Sequence, residues 1–289
     1  MGASKLRIVT FHNLPPAYRI TAGWAERMGH EIALVVTTPG PASRRTTGYR
    51  EIAASAPPQH DVLVTTRMRR VAAPVIAALK PDLIVAMTFP YRLPPEILRL
   101  PRLGAINLHP TPLPAYRGPN PLRLFYDGAP TMGATVHRMD EHFDTGPILS
   151  QHTAPLPADI TPETLLGAWA PLMAGALAEG AARAIAGDPG RPQDNAGESY
   201  AAEFTPEECW LDWDLPKAVL QRRATALNLF RPAAQPTIDG RRYAIQRLTA
   251  LPNPSTSAAP GTVLDEGDDG IVVAVADGEV RVVATPLAG

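Results

Sequence analysis

The strongest constraint on this chain is the recurrence of strand-length apolar runs through its first half. Residues 6–11, 31–38, 61–66, 82–88 and 105–109 are apolar nearly throughout, with amphipathic segments between them. Strands apolar on both faces belong in a parallel sheet covered on both sides by helices, because a sheet with one wet face shows alternation instead. Segments 17–28 and 71–79 read as helices, the first ending at Gly29, the residue type favoured just past a helix end. This alternation predicts a doubly wound, Rossmann-like α/β domain with a mostly parallel sheet. Two further strands are expected at 133–139 and 147–152. A long Ala/Leu-rich helix should follow over 161–185, with Pro171 inside it as a candidate kink.

The pattern changes after Gly187. Residues 188–197 are rich in Pro, Gly and Asp and read as a linker. A helix near 215–227 precedes short runs at 242–248, 261–264, 270–276 and 280–284. Asp239-Gly240 and Asp277-Gly278 are hairpin signals. The expected organisation is an α/β domain over 1–187 and a small OB-like β-barrel over 198–289. With 45% hydrophobic residues among 289, both cores can be filled. Cys209 is the only cysteine, which excludes an internal disulfide and a multi-cysteine zinc site. The opening residues carry no signal-peptide pattern, and the apolar runs read as too short to span a bilayer, so a cytoplasmic protein without membrane partners is expected. Neither a Gly-x-Gly-x-x-Gly nor a P-loop pattern follows the first strand, which argues against a nucleotide-binding module. The oligomeric state is not legible.

The residues that carry chemistry lie between 105 and 149. In Asn107-Leu108-His109, residues two apart on a strand project from one face, at the carboxyl end where open α/β sheets hold their ligands. A loop with four prolines follows, 111–121, in which Gly118 permits close backbone approach. An acidic turn, Asp140-Glu141-His142-Phe143-Asp144-Thr145-Gly146, lies further on. An amide, an imidazole and a carboxylate can therefore converge from separate segments. The other histidines, His12, His30, His60, His137, His142 and His152, show no ligand spacing, and no metal is called for.

The order Asn107-Leu108-His109, Leu113 to Gly118 and Met139 to Gly146 resembles the 10-formyltetrahydrofolate-dependent formyltransferases. The second half is similar to that family's C-terminal barrel, through 211–213, 223–227 and 260–263. The resemblance implies that an amine attacks a formyl carbon carried by 10-formyltetrahydrofolate. Asn107 and His109 would then donate to the oxyanion, while Asp144 would orient His109 and accept the amine's proton. It further implies a pterin slot around Met87, Phe89, Tyr91 and Leu93, closed by Asp140, Glu141 and His142, with His12, Asn13, Arg117 and Gly118 toward the acceptor.

The acceptor is read from departures. Methionyl-tRNA formyltransferases carry Gly-Thr-Pro after the first strand, where this chain has His12-Asn13-Leu14-Pro15-Pro16. Their basic loop after the second strand corresponds to 38–50, which holds only Arg44, Arg45 and Arg50. Residues 1–189 hold 18 Lys and Arg against 14 Asp and Glu, net +4, while residues 190–289 hold 9 against 14, net −5. RNA phosphates require a positive surface. A small amine, such as an amino sugar, an amino acid or a natural-product intermediate, is therefore expected over tRNA. The alternatives are methionyl-tRNA itself, or a folate-binding or formyl-folate-hydrolysing protein.

Overall fold

The computed structural model describes residues 5–41, 46–252 and 257–287. Arg44 and Arg45 lie outside these residues. Two compact units share the chain. Unit 1 comprises Met1–Pro119, Gly133–Thr153 and Trp169–Tyr200, and unit 2 comprises Asn120–Met132, Ala154–Ala168 and Ala201–Gly289. The stretch 188–197, read from sequence as a linker, is part of unit 1.

Unit 1 is built on a seven-stranded sheet. Its strands are β1 (Arg7–His12), β2 (Glu31–Thr37), β3 (Val62–Val64), β4 (Leu83–Met87), β5 (Ala105–His109), β6 (Thr131–Arg138) and β7 (Ile148–Pro155), in the order β3-β2-β1-β4-β5-β6-β7. The first five are parallel, and β6 returns antiparallel against β5. Helices α1 (Pro15–Arg27), α2 (Gly48–Ser55), α3 (Ala73–Leu79) and α4 (Pro95–Leu98) connect the strands. Pro15 and Pro16 start α1 two residues earlier than the apolar period suggests, since proline's fixed φ and missing N–H suit the first helical turn. The short helix α2 has no counterpart in the sequence reading.

Alternation along the strands divides their side chains between two faces. On one, Val9, Phe11, Leu34, Val36, Ile84 and Ala86 pack with Met68, Ile76, Leu93 and Ile97 in one buried cluster. The opposite positions include Thr10, His12 and Thr37, all inaccessible. Tyr18 of α1 approaches the His12 ring at 6.0 Å between centroids. Among the described residues, Thr10 Oγ1, His12 Nε2, Thr21 Oγ1 and Thr37 Oγ1 are buried without a hydrogen-bond partner. Burial of neutral polar atoms in this way is costly unless water satisfies them.

The long helix α6 (Pro162–Ile185) runs continuously through Pro171. By length and composition it could cross a membrane, which corrects the expectation that no apolar run reaches that length. Within unit 1, its Trp169, Met173, Leu177, Ala181 and Ala184 are buried. Trp169 Nε1 donates to the Gly133 carbonyl at 3.0 Å, and Ser150 Oγ donates to the Ala176 carbonyl at 2.7 Å.

Unit 2 carries α5 (Arg123–Asp127), α7 (Lys217–Asn228) and a five-stranded antiparallel sheet. The strands β8 (Thr237–Ile238), β9 (Arg241–Ala250), β10 (Val263–Gly267), β11 (Gly270–Val275) and β12 (Gly278–Pro286) are ordered β10-β11-β12-β9-β8. The expected barrel is thus a curled half-barrel. Asp239-Gly240, both with positive φ, forms the two-residue turn from β8 to β9, as the turn chemistry predicts; between β11 and β12 the turn is Ala276-Asp277, and Gly278 already pairs with Val275. Leu220, Ala224 and Leu227 of α7 are buried, as are Ile245, Leu248, Val273, Val280 and Val282 of the sheet.

Candidate active site

Strand β5 lies between β4 and β6, so its carboxyl end is flanked on both sides. Asn107 pairs with Ala86 of β4 and His137 of β6, and His109 pairs with Thr135. Directly opposed residues of an antiparallel pair project from the same face. Asn107, His109, Thr135 and His137 therefore share one face at the sheet's ligand-binding end.

Asp144 arrives on the loop between β6 and β7. Its φ is +58°, a left-handed conformation that costs a non-glycine residue about 1–2 kcal/mol. The loop sustains it: Asp140 Oδ1 accepts from the His142 N–H and, with Oδ2, from Thr145 Oγ1, each at 2.9 Å. Gly146 lies so close to the Arg138 carbonyl oxygen that a Cβ would collide with it.

The Asp144 carboxylate gathers the site. Asn107 Nδ2 donates to its Oδ1 at 3.2 Å, and the Gly118 N–H donates to its Oδ2 at 2.9 Å. His109 Nδ1 and His137 Nε2 each lie 3.5 Å from Oδ1. Asp144 is 7% exposed, and burial acts to raise its carboxyl. The facing imidazoles of His109 and His137 and the Gly118 N–H outweigh burial, holding it well below the usual carboxylate range. Asp144 is therefore a permanent anion at the carboxyl end of β5.

The ring orientations follow from acceptors that cannot donate. His137 Nδ1 lies 2.7 Å from the Arg138 carbonyl and must donate to it, while its Nε2 lies 3.2 Å from Asn107 Nδ2. His109 Nε2 donates to the Tyr116 carbonyl at 2.8 Å. Tyr116 itself has φ +58°, and Thr111 Oγ1 donates to the Ala115 and Tyr116 carbonyls at 3.0 and 3.3 Å. Gly118 has φ +105°, and a Cβ there would lie 2.5 Å from the Tyr200 ring, so glycine alone fits this turn.

The structure thus brings Asn107, His109, Asp144 and Gly118 together. His137, read from sequence as bland, belongs with them. Only the β5–β6 register reveals it, although its strand was expected. Arg117 is turned away from solvent: Nε and Nη2 donate to Gln193 Oε1 at 3.2 and 2.8 Å, and Nη1 donates to Glu198 Oε2 at 2.8 Å. His12 and Asn13 are 0% and 6% exposed, which leaves neither open to a ligand here. His12 Nδ1 lies 3.3 Å from the Met87 carbonyl, and Asn13 Oδ1 accepts from Thr46 Oγ1 at 3.3 Å. Of the expected slot, Met87 and Leu93 are buried core residues, whereas Phe89 and Tyr91 are half-buried with rings 5.9 Å apart. Glu141 and His142 are exposed, Asp140 is half-buried, and Arg92 Nη1 reaches the Glu141 carbonyl at 3.5 Å, so the two expected slot loops adjoin.

This arrangement of an amide, two imidazoles and a permanent carboxylate coincides with a sequence match that decides the family. The formyl transferase profile matches residues 8–174, and the formyl transferase C-terminal domain profile matches residues 203–289. The chain belongs to the formyl transferase family. Formyltransferases similar to it include the methionyl-tRNA formyltransferase of Pseudomonas entomophila (strain L48), 34% identical over 267 residues, covering 90% of this chain and 84% of the relative. That of Ralstonia nicotianae is 36% identical over 211 residues, 72% of this chain and 64% of the relative. Among solved structures, HypX from Aquifex aeolicus in complex with tetrahydrofolic acid superposes with a TM-score of 0.72 at 19% identity, covering 98% of this chain but 46% of HypX. An N-formyltransferase from Helicobacter canadensis, in complex with folinic acid and dTDP-3-aminofucose, gives 0.62 at 14% identity over 98% of this chain and all of the other. These structural likenesses establish the shared fold, and the formyltransferase chain here carries the catalytic fold of a one-carbon transferase.

Proposed function

We propose that this formyltransferase moves the formyl group of 10-formyltetrahydrofolate to the amine of a small molecule: an amino sugar, an amino acid or a natural-product intermediate. The observation that carries the chemistry is the convergence of Asn107 Nδ2 and His109 on the Asp144 carboxylate. The acceptor nitrogen attacks the formyl carbon, and the carbonyl oxygen becomes an oxyanion. Asn107 Nδ2 and His109 Nε2 are the donors the site can turn toward that oxygen. Each now serves a protein acceptor that the oxyanion would replace. Asp144, anionic at neutral pH, stabilises the ammonium charge that forms on the attacking nitrogen and accepts its proton directly or through water; the intermediate then collapses to the carbonyl, the N10–carbon bond breaks and N10 gains a proton. The pterin is assigned to the half-buried pair Phe89 and Tyr91, beside the 140–144 loop.

The small acceptor is supported by the net −5 of residues 190–289 and by the loop 38–50, whose basic residues are only Arg44, Arg45 and Arg50. The N-formyltransferase from Helicobacter canadensis, which shares the fold and whose structure holds dTDP-3-aminofucose, supports this reading. A second reading, transfer to methionyl-tRNA, draws on the 34% identity to the Pseudomonas entomophila enzyme. The deciding experiment follows tetrahydrofolate release from 10-formyltetrahydrofolate in the presence of amino-sugar nucleotides, free amino acids or methionyl-tRNA. Release driven by one small amine and indifferent to the tRNA is expected. Release driven by the tRNA alone would overturn the acceptor assignment and leave the chemistry standing.

A further inference from the structure

We propose that Gln193 is a positioning residue for formyl transfer, holding the Asp144 main chain in its reactive conformation through a single side-chain amide. The inference rests on the reading in which Asp144 serves the reaction. The Asp144 carboxylate is aimed by the peptide behind it, which stands in a left-handed conformation unusual for aspartate. Gln193 Nε2 donates to the carbonyl oxygens of both Asp144 and Gly146, each at 2.8 Å. These two bonds bracket Thr145 and fix the turn at both ends. The other end of the same amide, Oε1, accepts from Arg117 Nε and Nη2. Arg117 precedes Gly118, whose N–H holds Asp144 Oδ2. One amide therefore ties the main chain of Asp144 to the turn that grips its carboxylate.

The residue type is dictated by this geometry. Two donors are needed on one side and an acceptor with two lone pairs on the other, which a glutamine amide supplies in full. Glutamate lacks the donors, lysine and arginine lack the acceptor, and asparagine is one methylene shorter. The anchor is equally defined. Arg191 and Ile148 exchange main-chain hydrogen bonds of 2.7 and 2.8 Å, which set this segment in register with the start of β7. Beyond it, Glu198 pairs with Arg117 Nη1, and Ser199 Oγ accepts from the Tyr116 N–H at 2.9 Å. The bonds of Gln193 to the Asp144 loop go to main-chain oxygens, so its effect on the reaction runs through the placement of that carboxylate.

The test uses the full chain with 10-formyltetrahydrofolate as donor and hydroxylamine as a surrogate nucleophile, so that no acceptor need be identified. The hydroxylamine nitrogen bonds to the formyl carbon and loses a proton, the N10–carbon bond breaks, and N10 gains a proton. Gln193→Glu keeps the acceptor for Arg117 and loses both donors; Gln193→Met keeps the length and loses all four bonds. In both, kcat should fall at least about tenfold, since misplacing a reacting group by about 1 Å can cost two orders of magnitude. The donor KM and the Kd of 5-formyltetrahydrofolate should stay within about threefold. In an Asp144→Asn background, Gln193→Glu should cost less than about twofold more, because the two act through one group. Wild-type kcat in Gln193→Glu or Gln193→Met overturns the inference, as does an undiminished loss in the Asp144→Asn background. Wild-type turnover in Asp144→Asn alone overturns instead the reading beneath it.

Discussion

His12 offers a perturbation whose size follows from its surroundings. Its ring is inaccessible on the sheet face toward Tyr18, and burial pushes its pKa from 6.5 down to about 3, against the partial support of the Met87 carbonyl. Between those two values the unfolded chain binds a proton that the folded chain refuses. Stability therefore rises with pH in that window: the contribution is complete above pH 6.5 and is lost progressively down to pH 3. Each pH unit within the window corresponds to about 1.4 kcal/mol, so acidification from pH 7 to 5 should remove about 2 kcal/mol through His12 alone. His30 and His60 are also held low, chiefly by burial, and act in the same direction. They persist in His12→Leu, so the difference between the two proteins isolates His12. Urea unfolding at pH 7, 6 and 5, followed by fluorescence with Trp210 and Trp213 of unit 2 replaced by Phe in both proteins, reads the unit 1 transition through Trp24 and Trp169. Wild type should lose about 2 kcal/mol more than His12→Leu between pH 7 and 5, whatever the absolute stability of the variant. Parallel pH slopes, differing by less than about 0.5 kcal/mol, would refute the claim that a neutral imidazole is locked beneath α1.

His109→Ala and Asp144→Asn should each lower turnover at least about a hundredfold with the thermal midpoint little changed, measured by tetrahydrofolate release. Gly146→Ala places a methyl group against the Arg138 carbonyl and must displace the Asp144 loop. Its kcat should fall at least about tenfold while donor affinity is kept, and an unchanged kcat would show that the loop absorbs the shift. In unit 2, Arg123 Nη1 and Nη2 donate to Glu208 Oε1 and Oε2 at 2.8 and 2.7 Å. Arg123 draws the Glu208 carboxyl down to about 2. Because Glu208 is only half-buried, Arg123→Ala should cost about 1 kcal/mol at neutral pH after solvent screening. That stabilisation is present above the ordinary glutamate range and lost as pH falls toward 2. The gap between wild type and variant in thermal unfolding should accordingly close on acidification from pH 5 to pH 2.5.

Sequence alone determined the elements whose cause is local. Apolar runs of strand length named β1, β2, β4 and β5; Asp-Gly pairs named two hairpins; and the period of two placed Asn107 and His109 on one face of β5. The ordered motifs from Asn107 to Gly146 pointed to a formyl-folate family by resemblance, and their residue types suit a tetrahedral oxyanion. What sequence left undecided depends on partners distant along the chain. His137 joins the site because β6 runs antiparallel to β5 with His137 opposite Asn107, a register that no local pattern encodes. His12 is sealed from ligands because α1 folds back over its strand. Gln193 sits in a stretch whose Pro, Gly and Asp content reads as a linker. Those residues do bend the chain, but only tertiary structure shows that the bend delivers an amide to Asp144, Gly146 and Arg117 at once. Composition reports how a segment turns, whereas hydrogen-bond complementarity across about fifty residues of intervening chain decides what the turn is for.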